Sequence, residues 1–192
     1  MLDTLLEEIR RCQVCAPNLI DGANPIIQAS AKAKILIIGQ APGLKVHRSS
    51  IPWDDASGDR LREWLSMDKS DFYDPNLVAI VPMGLCYPGK SKSGDLPPRK
   101  ECAPLWHQRV LEQLPNVEMT LLIGQYAQKY YLPNKPTTLT ETVQQWQRWA
   151  PTFIPLPHPS PRNNIWLKSN GWFEQSVLPY VRTHLATLGT DK

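Results

Sequence analysis

The sequence predicts an α/β fold, a three-layer α/β/α sandwich around a central parallel sheet of about four strands. Short apolar runs end at glycine or proline, and segments with helical periodicity alternate with those runs. A length of 192 residues suffices for one well-buried core and is short for two, so a single domain over residues 1–192 is expected.

Residues 2–11 repeat apolar side chains at helical spacing, which predicts a first helix leading into Cys12. Residues 34–38 form a continuous apolar run closed by Gly39, the pattern of a central strand buried on both faces. Further strands are predicted over 77–81, 119–123 and 152–156, the last weakened by Pro155. Helical patterns occupy 59–67, 100–114, 126–131, 139–149 and 170–188. In such sheets ligands bind outside the carboxyl ends of the strands. The loops that follow the strands, 39–43, 83–99, 124–125 and 157–164, are therefore the candidate functional segments.

The net charge of +3 neither requires nor excludes a polyanionic partner, so the distribution decides. Lys45 and Arg48, then Lys90, Lys92, Arg99 and Lys100, then Arg162 and Lys168 fall in or beside these loops, which predicts one basic face. The 19 prolines are dispersed among apolar segments, which argues against a disordered linker. No apolar stretch is long enough to span a membrane, and the charged, amphipathic start is not a signal peptide. A cytoplasmic protein with no membrane partner is expected.

Four cysteines are present, Cys12 and Cys15 in a C-x-x-C pair, Cys86 and Cys102. Disulfides are not expected in the cytosol. Four thiolates complete either a tetrahedral zinc site or a cubane iron-sulfur cluster, and four unconnected thiols are the remaining reading.

Residues 84–91, GLCYPGKS, match the phosphate-binding pattern GxxxxGKS and raise the alternative of a nucleotide hydrolase. That loop needs a helix starting at its Lys-Ser end, whereas Ser91 leads into Lys92-Ser93-Gly94-Asp95-Leu96-Pro97-Pro98, which cannot continue one. The strand at 119–123 also ends in Gly-Gln, without the aspartate that would hold magnesium.

Three motifs remain: GQAPG at 39–43, IPWDDASGDRL at 51–61 and HPSPRN at 158–163. In this order and at these strand ends they resemble the uracil-DNA glycosylase superfamily, and the spacing of Cys12, Cys15, Cys86 and Cys102 is similar to the cluster ligands of its family 4. The resemblance implies an enzyme of base excision repair that hydrolyses the N-glycosidic bond of uracil or another damaged base flipped out of DNA. It also implies a 4Fe-4S cluster rather than zinc, DNA as partner, and action as a monomer.

Carried onto this sequence, the resemblance places Gly39, Gln40, Ala41 and Pro42 around the base and sugar, with Met83 near the base. Trp53 would stack on the base. His158 would hydrogen-bond the base carbonyl as negative charge develops there. Ser160, Pro161, Arg162 and Asn163 would meet the DNA, Arg162 standing where a leucine often wedges into the stack.

Two positions depart from the pattern. Gln40 stands where family 4 carries a glutamate, and an amide cannot take a proton. Asp54 and Asp55 are the nearest carboxylates that could compensate, Asp59 following, unless they only cap the next helix. Pro82 stands where an asparagine reads the uracil edge. These departures keep open a second function, nucleic-acid binding without hydrolysis.

Overall fold

Apolar residues that alternate between two faces of four short strands organise the molecule from its centre outward. A computed structural model describes residues 1–189; the last three residues of the expected domain lie outside the described residues. The chain runs α1 (Leu2–Arg10), β1 (Ile35–Ile38), α2 (Leu44–Ser49), α3 (Ala56–Leu65), α4 (Lys69–Phe72), β2 (Val78–Ile80), β3 (Lys90–Ser91), β4 (Gly94–Asp95), α5 (Cys102–Leu111), β5 (Met119–Ile123), α6 (Gln125–Tyr131), α7 (Leu139–Gln144), β6 (Phe153–Leu156), α8 (Asn164–Ser169) and α9 (Leu178–Leu188). β2, β1, β5 and β6 pair in that order, all parallel, with Ile35 beside Val78 on one side and Met119 on the other.

Because strand side chains alternate, each run feeds two cores. Ile35, Ile37, Leu121, Ile123, Ile154 and Leu156 pack on one face against Leu61 and Trp64 of α3, Phe173, and Val181 and Leu185 of α9. Leu36, Ile38, Ala79, Leu122 and Val81 pack on the other against Leu2, Leu5 and Ile9 of α1 and Trp106 and Val110 of α5. This is the predicted three-layer sandwich. Among the described residues, no helix is long and apolar enough to cross a membrane.

Local chemistry moved several helix ends. The helix predicted from residue 59 begins at Ala56, because the Asp55 carboxylate accepts the Gly58 amide at 2.8 Å and caps it. Asp59 does not cap; it pairs with Arg62 at 2.7 Å. The helix predicted over 139–149 opens with a capping box of Thr138 and Glu141 and tightens into a 3-10 turn at Trp146–Arg148. The one predicted over 170–188 begins as a π turn at Phe173–Val177, where Pro179 lacks the N–H that would close an α turn.

Pro155 fits because β6 is an edge strand. Thr152 and Leu156 turn their carbonyls to β5, accepting from Thr120 and Gly124, so the intervening Phe153 and Pro155 face outward. The Phe153 amide is bound by the Trp149 carbonyl, and Pro155 has none to offer. At the opposite edge, Gln28 exchanges backbone hydrogen bonds with Ile80, while its side chain donates to the Val78 carbonyl.

Gln128 of α6 is fully buried and donates to the Leu122 and Leu156 carbonyls at 3.1 and 2.9 Å, tying together the ends of β5 and β6. Gln128→Ala removes both bonds and leaves a void. It is expected to lower unfolding free energy by about 2–4 kcal/mol in urea titrations.

Candidate functional site

A cavity of about 440 Å³ opens at the carboxyl edge of the sheet. Gly39, Gln40, Ala41, Pro42 and Gly43 follow β1, Trp53 and Asp55 precede α3, Pro82 follows β2, and His158, Ser160, Arg162 and Asn163 follow β6. Most of the predicted site residues therefore share one wall. Asp54, Met83 and Pro161 do not line the cavity, and Met83 packs in the α1/α5 core. The loop after β1 is pinned to the chain after β2, since the Met83 and Gly84 amides donate to the Gly39 and Gln40 carbonyls at 2.9 and 3.0 Å.

Trp53 is held in a conformation its residue type disfavours, with φ +58°. Arg62, 6% exposed, donates to the Trp53 carbonyl at 3.2 Å and to the Tyr73 hydroxyl at 3.1 Å, and Tyr73 donates to the Pro52 carbonyl at 2.9 Å. Two glycines make room. A Cβ on Gly39 would stand 2.8 Å from the indole, and one on Gly58 would stand 1.7 Å from the Trp53 carbonyl oxygen. The indole consequently meets the His158 ring, with centroids 5.7 Å apart and planes inclined by 34°.

Three bonds set the His158 loop. The Ser160 amide donates to Nδ1 of His158 at 3.2 Å, Asn163 donates to the His158 carbonyl at 2.7 Å, and Arg60 of α3 donates to the Ser160 carbonyl at 3.2 Å. With Nδ1 accepting, the proton of the neutral ring sits on Nε2. Burial lowers the pKa of His158 below the ordinary histidine value, against the opposing field of Asp55. The ring is a neutral donor near pH 7.

The remaining cavity wall was not foreseen from the sequence. Residues 84–91 do not open a helix; Lys90–Ser91 and Gly94–Asp95 form a hairpin that carries Lys90, Ser93, Gly94 and Asp95 to the cavity mouth. Ser-Gly at 93–94 was the available turn signal. Arg162, expected to meet the DNA, donates here to the Ser93 carbonyl at 2.8 Å, over a glycine whose Cβ would strike the guanidinium. Asp95 and Asp55 approach one another: their Oδ2 atoms lie 3.6 and 3.9 Å from where a Cβ on Gly43 would stand. Desolvation raises the pKa of Asp95, with Lys90 and Arg162 opposing.

Pro82 has a second partner behind the wall. His107, 1% exposed, donates from Nε2 to the Pro82 carbonyl at 2.9 Å and accepts at Nδ1 from the Tyr131 hydroxyl. Burial lowers the pKa of His107 and raises that of Tyr131.

The four cysteines gather elsewhere. Cys12 and Cys15 beyond α1, Cys86 after β2 and Cys102 at the start of α5 line one narrow cavity with Arg99 and Trp106. Cys15 lies 3.9 Å from the Glu101 carboxylate, which Arg99 binds at 2.7 Å, and the Leu85 amide donates to the Cys102 sulfur at 3.3 Å. Burial pushes the Cys86 thiol up to about 11 and the Cys102 thiol up to about 12. Among the described residues, no three His, Cys, Asp or Glu side chains converge tightly enough to hold a single ion.

The sequence matches the family described as the Uracil DNA glycosylase superfamily over residues 27–182, well over half of the chain. It is also similar to the Type-4 uracil-DNA glycosylase of Saccharolobus solfataricus (strain ATCC 35092 / DSM 1617 / JCM 11322 / P2), 25% identical over 138 residues. That similarity takes in 67% of this chain and 58% of the relative, so the chain spans less than two thirds of that protein's length.

Two outcomes follow from this geometry. Gly58→Ala forces Trp53 out of place and is expected to cost about 3 kcal/mol in urea unfolding, whereas Ser57→Ala leaves stability near that of the unsubstituted protein. His107 and His158 have folded pKa values below the unfolded value of about 6.5, so the unfolded chain binds more protons between the two. Stability is therefore expected to fall as pH drops below about 6.5, by up to about 1.4 kcal/mol per pH unit for each histidine. Urea titrations from about pH 7.5 to 5 measure this, and His107→Gln should flatten the dependence.

Proposed function

Since this chain belongs to the uracil-DNA glycosylase superfamily, we propose that it is a DNA glycosylase that takes uracil or another damaged base, flipped from DNA, into the 440 Å³ cavity and hydrolyses its N-glycosidic bond. It acts as one domain, a monomer of the cytoplasm. The single observation that carries this reading is the meeting of the Trp53 indole with a neutral imidazole on the cavity wall.

The chemistry assigns each group a task. Trp53 stacks on the extruded base, and the stacking offsets part of the cost of unpairing it. As the bond between C1′ and the base nitrogen breaks, its electron pair moves onto the base, and Nε2–H of His158 donates to the carbonyl oxygen that gains charge. Water adds its oxygen to C1′ and gives up a proton. Gln40 cannot accept that proton but can orient the water through its amide. Asp55 has one oxygen committed to capping α3 and its other, Oδ2, near that of Asp95 beside Gly43, so these two carboxylates are the acceptors available for that proton.

Base choice departs from simple uracil reading. Pro82 has no side-chain donor, and its carbonyl is engaged by His107 rather than free for a base edge. Recognition falls to Gln40, Asp95 and backbone amides, in a cavity with room for a purine as well as a pyrimidine. These same features favour, as a second reading, a member that binds nucleic acid without cleaving it.

The cysteines fit an iron-sulfur cluster better than zinc. Four thiols share one cavity, and a cubane binds each thiolate at a separate iron, so the thiols need not meet at a single point. Two of the residues lining that cavity, Arg99 and Trp106, also hold a buried N–H without an acceptor. Held by Cys12, Cys15, Cys86 and Cys102, a 4Fe-4S cluster would supply a cross-link between α1, the loop after β2 and α5.

Labelled duplexes and single strands carrying uracil, hypoxanthine or xanthine test the reading through abasic product under single-turnover conditions. Cleavage of at least one is expected, with His158→Ala slower by about 10²- to 10³-fold. Asp95→Asn should lower the rate with little change in DNA affinity, because it removes a proton acceptor and not a phosphate contact. Salt-dependent binding with no abasic product on any substrate would replace catalysis by the second reading.

A further inference from the structure

The cysteine cavity holds two buried hydrogen-bond donors that nothing in the protein satisfies. Trp106, 5% exposed, is one of the lining residues and its indole Nε1–H is buried without an acceptor, and Arg99, also in the lining, has a buried Nε–H without one. A buried N–H left without an acceptor is costly, so two belonging to residues of one small cavity point to a missing acceptor. The one neighbouring protein acceptor that the Arg99 guanidinium meets inside the cavity is the Cys15 sulfur, itself one of the four thiols. The outer nitrogen of Arg99 is taken by Glu101, and the Trp106 face is covered by the Arg109 guanidinium, 5.1 Å from the ring centroid.

We propose that Trp106 Nε1–H and Arg99 Nε–H are donors to sulfur atoms of the cluster held by Cys12, Cys15, Cys86 and Cys102, and that they raise its reduction potential and slow its loss. This rests on the cluster reading above. A cubane carries sulfide and thiolate sulfurs on every face, so two donors from different elements can each find one. A single zinc ion offers only its four thiolates. Hydrogen bonds to those sulfurs stabilise the more negative, reduced cluster, which moves the potential upward, and supporting bonds of this kind hold ligands in place. Both are positioning residues, since neither binds metal.

The test uses the full chain, reconstituted anaerobically with iron and sulfide. Trp106→Phe keeps the ring and removes the N–H; Arg99→Lys keeps the charge and removes the Nε–H. Each is expected to shift the midpoint potential to more negative values and to speed iron loss to a chelator by about tenfold. The iron–sulfur stretching bands of the unsubstituted protein should shift on exchange into deuterated water, and that shift should shrink in both variants, a signature that packing alone would not move. Bound cluster with potential, chelation rate and isotope shift unchanged in both variants would overturn the donor assignment and leave the cluster reading intact. A colourless protein that takes up zinc and no sulfide would overturn both.

Discussion

Parallel pairing is the constraint from which the site follows. A chain that adds strands in one direction must return to the same end before each new one, and the return passes through a helix on one face or the other. All four strands therefore release their loops at one edge, and strands of three to five residues leave little distance between those loops. The backbone then fixes them to each other, as the Met83 and Gly84 amides do at the Gly39 and Gln40 carbonyls. The order β2-β1-β5-β6 places the turns after β1 and β2 side by side, and the turn after β6 closes over them through Arg60 and Arg162.

Magnitudes decide how Trp53 is kept in place. The left-handed backbone costs roughly 1–2 kcal/mol, and desolvating the Arg62 guanidinium costs more unless its nitrogens are bonded. They are, to the Trp53 carbonyl, the Tyr73 hydroxyl and the Asp59 carboxylate, with the guanidinium also lying over the Phe72 ring. Charge-assisted bonds are worth about 1.5–3 kcal/mol each, so the network outweighs the strain. The indole is thus held in place at the cavity wall, and less ordering remains to oppose whatever binds against it.

The sheet and the motif loops were legible because long apolar runs and proline- or glycine-bearing turns carry strong local signals. Residues 34–38 could only be a strand buried on both sides, and His158 between two prolines could only sit in a stiff loop. The hairpin at 90–95 was not legible, since two-residue strands have no periodicity to read and GLCYPGKS drew attention to a different loop chemistry. Arg62 was hidden for another reason: on an amphipathic helix an arginine reads as a surface charge, and only the fold reveals that it is buried under Trp53. Cys12, Cys15, Cys86 and Cys102 could be counted together, but Trp106 and Arg99 beside them carry no mark in the sequence that separates them from other core and surface residues.

The outward side of β6 has a consequence for the company the molecule keeps. Its amide at Phe153 is occupied and its next outward position is Pro155, while Gln28 seals the far border along β2. Neither margin can template another strand, so a crowded neighbour or a partly unfolded copy finds no ladder to extend. The molecule thereby gains a safeguard against sticking to its own kind, built from one imino acid and one amide side chain.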